Sequence, residues 1–132
     1  MVIKKHNAFT LIELMVVILI VGVLAAASAP LMRAKIDRSK WTEANALAGS
    51  IRTAVQVYFI ETGDTLTGNL SNASVQQALG IQTQDLTGTY FIPSDYQIDS
   101  VTADGIAVVT ATGSQTNAPS GSKTLALDGS FK

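Results

Sequence analysis

From Leu14 to Met32 the chain runs for 19 residues without a charged side chain, LMVVILIVGVLAAASAPLM. A helix that crosses a bilayer needs about 17 to 25 such residues. The run therefore points to a membrane-spanning or tightly packed helix. Only 14% of the 132 residues are charged, against about 25% in an ordinary soluble domain. A secretory signal peptide is the competing reading, since Lys4 and Lys5 precede the run and Ala25-Ala26-Ala27-Ser28-Ala29 mimics a cleavage site. Signal peptides carry apolar regions of about 7 to 15 residues, so the length favours a span. Two basic residues lie before the run and four just after it, at Arg33, Lys35, Arg38 and Lys40. Taken alone, that count places the C-terminal side in the cytoplasm.

Glu13 is the anomaly. It sits between Leu11-Ile12 and Leu14-Met15, and a carboxylate in hydrocarbon costs about 2.5 to 3.5 kcal/mol on insertion scales. Either it lies hydrated at the bilayer edge, or it has a functional partner. No cation stands three or four residues away on the same helical face, so a partner has to come from another chain or from a new terminus.

Charge is unevenly distributed. Residues 1–52 carry a net +4 and residues 53–132 a net −5. This suggests two environments, or copies that stack basic region on acidic region. The overall charge of −1 gives no argument for nucleic-acid binding, and the acidic C-terminal part argues against broad phosphate binding. With no cysteine and a single histidine, His6, disulfide scaffolds, thiolate zinc sites and Ser-His-Asp triads are disfavoured. Asp85, Asp95, Asp99 and Asp104 lack the dense oxygen spacing of a calcium loop. Asn69-Leu-Ser71 and Asn72-Ala-Ser74 fit the glycosylation pattern, which is short and weak. The inventory points to no enzyme, no cofactor and no metal.

The helix is expected to continue past the apolar run. Trp41, Ala44, Leu47, Ala48, Ile51, Val55 and Tyr58 recur at three- and four-residue steps, with Ala54 beside them, while Lys40, Glu43, Ser50, Arg52 and Thr53 fill the other sides. This is an amphipathic face that needs a partner surface. Trp41 is expected at the membrane interface and Tyr58 on the head. A single helix from Phe9 to Ile60 would be about 78 Å long at about 1.5 Å per residue. Pro30 cannot donate to the Ala26 carbonyl and should loosen that turn, and Gly22 is a weaker soft point. Beyond a Gly63 cap, residues 64–72 read as a loop. Asn72 to Gly80 reads as a short capped helix. Strands are expected at Tyr90–Ile92, around Tyr96, Ile98 and Val101, at Ile106–Thr112 and at Thr124–Phe131. Asp104-Gly105 marks a hairpin turn, and 113–123 a flexible loop. Three or four antiparallel strands against the second half of the helix would bury both apolar faces.

The string KKHNA-FTLIELMVVILIVGVLAAASAP resembles the N-terminus of a type IV prepilin. In that family a short basic leader is removed before a Phe, the new amine is methylated, and a glutamate stands five residues into the mature chain. The resemblance maps the leader onto Met1 to Ala8, the cut between Ala8 and Phe9, methylation onto Phe9 and the glutamate onto Glu13. Pro30 matches the helix proline. Ala8 departs from the usual Gly before the cut, though it is small enough for a tight peptidase site. The missing cysteines depart from the many pilins whose C-terminal loop is closed by a disulfide.

The resemblance implies an α+β, pilin-like fold. Residues 9–32 form the transmembrane and polymerisation half of a long helix, 33–61 its amphipathic half, and 62–132 a small head of 3–4 antiparallel strands. It implies a structural subunit of a type IV pilus-like filament, assembled with copies of itself and other pilins. The partners implied are a prepilin peptidase and an inner-membrane assembly platform. Glu13 of one copy would pair with the Phe9 amine of the next, a contact that sets register. The precursor would be single-pass in the inner membrane and the product an extracellular filament or periplasmic pseudopilus. The leader would then be cytoplasmic, against the naive charge count. A minor pilin or a type II secretion pseudopilin is the alternative role.

Overall fold

The computed structural model describes Met1 and residues 8–132. Lys4, Lys5, His6 and most of the expected leader lie outside the described residues. The chain divides into two compact units, residues 1–36 and 37–132. One helix, α1 (Leu11–Thr62), supplies the helix of the first unit and the opening element of the second.

In the first unit, α1 is long and apolar enough to cross a membrane, and none of its most apolar stretch is buried. Its helical assignment passes through Gly22 and Pro30 without a break. Two residues before Pro30, the Ser28 hydroxyl donates to the Leu24 carbonyl at 2.8 Å, a bond that competes with the helix ladder and often bends it.

In the second unit, Ala44, Ala48, Ile51 and Val55 are the buried residues of α1. Their steps of four and three put them on one face, and the face is the one that periodicity marks. Trp41 is corrected. It packs against Phe91 and Phe131, with ring centroids 5.3 Å and 6.0 Å away, and belongs to the head's core rather than to a membrane interface. It sits one helical turn before Ala44, so the core-facing stripe carries it inward.

The facing layer is a four-stranded antiparallel sheet in the order β1 (Gly68–Asn69), β2 (Tyr96–Val101), β3 (Ala107–Thr112), β4 (Ser122–Leu125). Tyr96, Ile98, Ala107, Val109, Ala111 and Leu125 point into the core, as strand alternation requires. On β2 the spacing 96, 98, 101 skips a step, and a bulge explains it. Ile98 pairs with Val109 and Ser100 with Val108, so Asp99 is the extra residue. The bulge reverses the alternation, and Val101 packs against the core.

The short helix α2 (Ala73–Leu79) forms where its caps mark it. The Asn72 side chain accepts from the Ser74 N–H, and Gly80 closes the helix in the left-handed region at φ 66°. Asn69 is likewise committed to the fold, accepting from Ser71 N–H and donating to the Ser94 carbonyl.

Four local expectations fail. Tyr90–Ile92 is not a strand. The N–H groups of Thr89, Tyr90 and Phe91 donate to Glu43, and that of Ile92 to Asp95, so no ladder partner is left for them. The presumed loop around residue 68 instead contributes β1, a two-residue strand too short to leave a pattern. The last strand stops at Leu125 and turns through Asp128-Gly129. Phe131 then bridges back to Leu125, and Thr124 and Lys132 exchange N–H···O bonds of 2.7 Å and 3.1 Å. The 113–123 segment is tied down rather than loose. Gly113 N–H bonds the Gly121 carbonyl, Ser114 donates to the buried Asp95, and Lys40 Nζ reaches the Asn117 carbonyl at 2.7 Å.

Candidate functional site

The residues that the resemblance marks sit at the start of α1. Ala8, Phe9 and Glu13 are all exposed, and Phe9 is 81% exposed. Glu13 lies in the first helical turn, where unsatisfied N–H groups favour negative charge. Its Oε2 accepts from the Thr10 N–H at 2.8 Å and from the Thr10 hydroxyl at 3.0 Å. The Thr10 hydroxyl in turn accepts from the Glu13 N–H at 3.3 Å. This reciprocal arrangement is a capping box. Thr10 was not singled out from the sequence, although Thr10-Leu-Ile-Glu13 spells the capping pattern. Glu13 thus has a local structural role in the single chain. It also stands four residues beyond Phe9. Gly22 and Pro30 lie further along the same helix.

Two charged residues on the flanks of α1 anchor the head. Both were expected on the sides of α1 away from the apolar stripe, and both reach the fold through distant backbone. Glu43 accepts from Thr89, Tyr90 and Phe91 N–H at 3.1, 2.9 and 3.2 Å. A Cβ on Gly88 would overlap that carboxylate, so a larger residue there would push the Glu43 side chain away from these bonds. Arg52 donates from Nε to the Ala107 carbonyl at 2.7 Å. Its Nη2 donates to the Leu125 and Ala126 carbonyls at 2.6 and 2.7 Å. Burial lowers the Arg52 pKa, and the nearby Asp128 charge opposes that shift. Tyr96 is buried beside Phe91. Burial first, then the charges of Glu43 and Asp95, push its phenol up, so it stays neutral.

Asp128 is held well below the usual carboxylate range, at about 2, chiefly by the Ser130 hydroxyl and the Ser130 N–H, with help from Lys132. A depressed folded-state pKa stabilises above the unfolded value and is lost as pH falls through the folded one. The Asp128–Lys132 turn is therefore expected to hold at pH 5 and above and to loosen as pH falls from about 4 to about 2. The Ser130 amide proton, which donates to Asp128, should shift upfield in its NMR spectrum over that window. An amide signal unchanged down to pH 2 contradicts the assignment.

Among the described residues no cluster of His, Cys, Asp and Glu could hold a metal ion. The first unit is thus an exposed apolar helix with a capped acidic start, and the second is a small α+β fold. The comparisons agree. Residues 3–29 match the prokaryotic N-terminal methylation motif, and residues 38–132 match the pilin (bacterial filament) family. The chain belongs to the pilin family.

Among curated relatives, it is 35% identical to a fimbrial protein of Neisseria meningitidis serogroup A over 133 aligned positions, covering 96% of this chain and 71% of the relative. It is 43% identical over 60 residues to the fimbrial protein EcpC of Eikenella corrodens, covering 46% of this chain and 39% of the relative. The type II secretion system core protein G of Pseudomonas aeruginosa is 33% identical over 85 residues, covering 64% of this chain and 55% of the relative. With several relatives the matched segment covers less than half of the relative's length.

Proposed function

We propose that this chain is made as a prepilin in the inner membrane, with its leader in the cytoplasm. A prepilin peptidase cuts the Ala8–Phe9 bond, and the new Phe9 amine is methylated. An assembly platform then draws the subunit into a filament. The observation that carries this reading is the coincidence of the methylation motif with an apolar helix left uncovered by its own chain. Such a surface has two coverings, lipid before assembly and other copies afterwards. In the filament the Glu13 carboxylate exchanges its Thr10 contacts for the Phe9 amine of a neighbour. Burying either charge alone is costly, and the pair offsets much of that cost. Pro30 removes one helix bond, and the Ser28 hydroxyl draws on a second carbonyl nearby. With Gly22, these positions let α1 loosen during assembly.

Intact mass and N-terminal sequencing of material sheared from cells that produce the chain test the reading. A product that begins at methylated Phe9 is expected. A chain missing from the sheared fraction, or one beginning after Ala27 or Ala29, counts against it. The similarity to type II secretion protein G favours a second role, as a pseudopilin. Loss of exoprotein secretion with surface pili intact, on deleting the chain, would select that role.

A further inference from the structure

An open cleft of about 300 Å³ lies between the end of α1 and the end of α2, lined by Ala54, Val57, Tyr58, Glu61, Gln77 and Leu79 among others. Val57 and Ile60 nearby are 49% and 75% exposed. The last turn of α1 contains no cation, although helix C-termini favour positive charge. Among the described residues Glu61 is in no ion pair. A mixed lining that sets an aromatic ring and a leucine beside a carboxylate suits an arginine side chain. Its stem would lie along Leu79 and Tyr58, and its guanidinium would meet the carboxylate.

The chain carries such a group. Arg38 is exposed and in no ion pair among the described residues, whereas nearby Lys40 is engaged by Asp37 and the Asn117 carbonyl. Arg33 and Lys35 precede it, adding to the net +4 of residues 1–52 against the −5 of the remainder. Arg38 and Glu61 both belong to the second unit and lie 23 residues apart on α1. That is about 35 Å along the helix, far beyond side-chain reach, so a copy cannot fill its own cleft.

We propose that the cleft receives Arg38 of a second copy, offset lengthwise by about 35 Å, and that this contact ties the heads of the assembly together. The inference rests on the filament-subunit reading above. Because the chain lacks cysteine, the full-length double variant Glu61→Cys with Arg38→Cys gives a clean report. Cysteines that replace a guanidinium–carboxylate pair stand too far apart for a disulfide, so sheared filaments of that variant, treated with a short bismaleimide linker, are expected to show a ladder of linked multimers that neither single variant shows. Filaments at normal yield without a ladder overturn the proposal and leave the subunit reading standing. Absence of filaments from the unsubstituted chain fails the subunit reading itself. Charge exchange decides if the cysteine pair assembles poorly. Glu61→Arg and Arg38→Glu should each lower filament yield at least about tenfold, and the two together should restore most of it. A double variant no better than the singles, with heads that melt normally, overturns the proposal.

Discussion

Replacing Glu43 by alanine is expected to lower the melting temperature of the head by about 10 to 25 °C, measured on the full-length chain in detergent micelles. The Glu43 carboxylate is the acceptor for three successive N–H groups, those of Thr89, Tyr90 and Phe91. Hydrogen bonds to a charged group are worth about 1.5 to 3 kcal/mol each. Three bonds sharing one half-exposed carboxylate should cost about 2 to 4 kcal/mol to lose, and a domain of this size shifts by about 4 to 8 °C per kcal/mol. The loss propagates, because the segment that Glu43 holds carries Phe91. That ring is fully buried and touches both Trp41 and Tyr96. Glu43→Gln should recover part of the loss, since an amide oxygen still accepts but without charge. A shift below about 3 °C for the alanine variant would mean that the 88–91 segment is held by its apolar contacts alone.

The second large effect is expected at Glu13, where the substitution can separate two roles. Glutamine serves as well as glutamate in a capping box, so Glu13→Gln keeps the contact to the Thr10 N–H and removes only the charge. Helix content in micelles and appearance of the Phe9 terminus should both be unchanged. Filament yield should fall by about two orders of magnitude or more. Leaving a buried amine without its counter-charge costs about 3 to 5 kcal/mol, and about 1.4 kcal/mol is a factor of ten. Normal filament yield from Glu13→Gln would show that no charge pair guides assembly. Loss of helix content in the same variant would assign the effect to the cap instead.

Much of this fold was legible because it is local. The stripe through Ala44, Ala48, Ile51 and Val55 is a matter of counting along one helix. The caps of α2 at Asn72 and Gly80 are local chemistry too. What escaped were contacts whose partners lie far along the chain. Glu43 and Arg52 sit on helix flanks and read only as the polar sides of the stripe, yet they bond backbone 46 to 74 residues away. The Tyr90–Ile92 run looked like a strand because its side chains are apolar, while its N–H groups are committed to carboxylates. The turn at Asp128-Gly129 carries the same signal that correctly marked Asp104-Gly105. It was passed over because the flanking apolar residues suggested one continuous strand. At the N-terminus, the cost of a carboxylate among apolar neighbours drew attention from Thr10, whose side chain gives Glu13 a local partner.

The sheet's two borders bear on how such a protein survives crowding. An open strand border invites pairing with any similar strand, and the danger grows with local concentration. Here one border is β1, only two residues long. At the other, Thr124 and Ala126 bond Lys132 and Ser130. Neither side presents a long row of free backbone groups. Neighbouring heads are therefore offered little backbone with which to extend this sheet from one copy to the next.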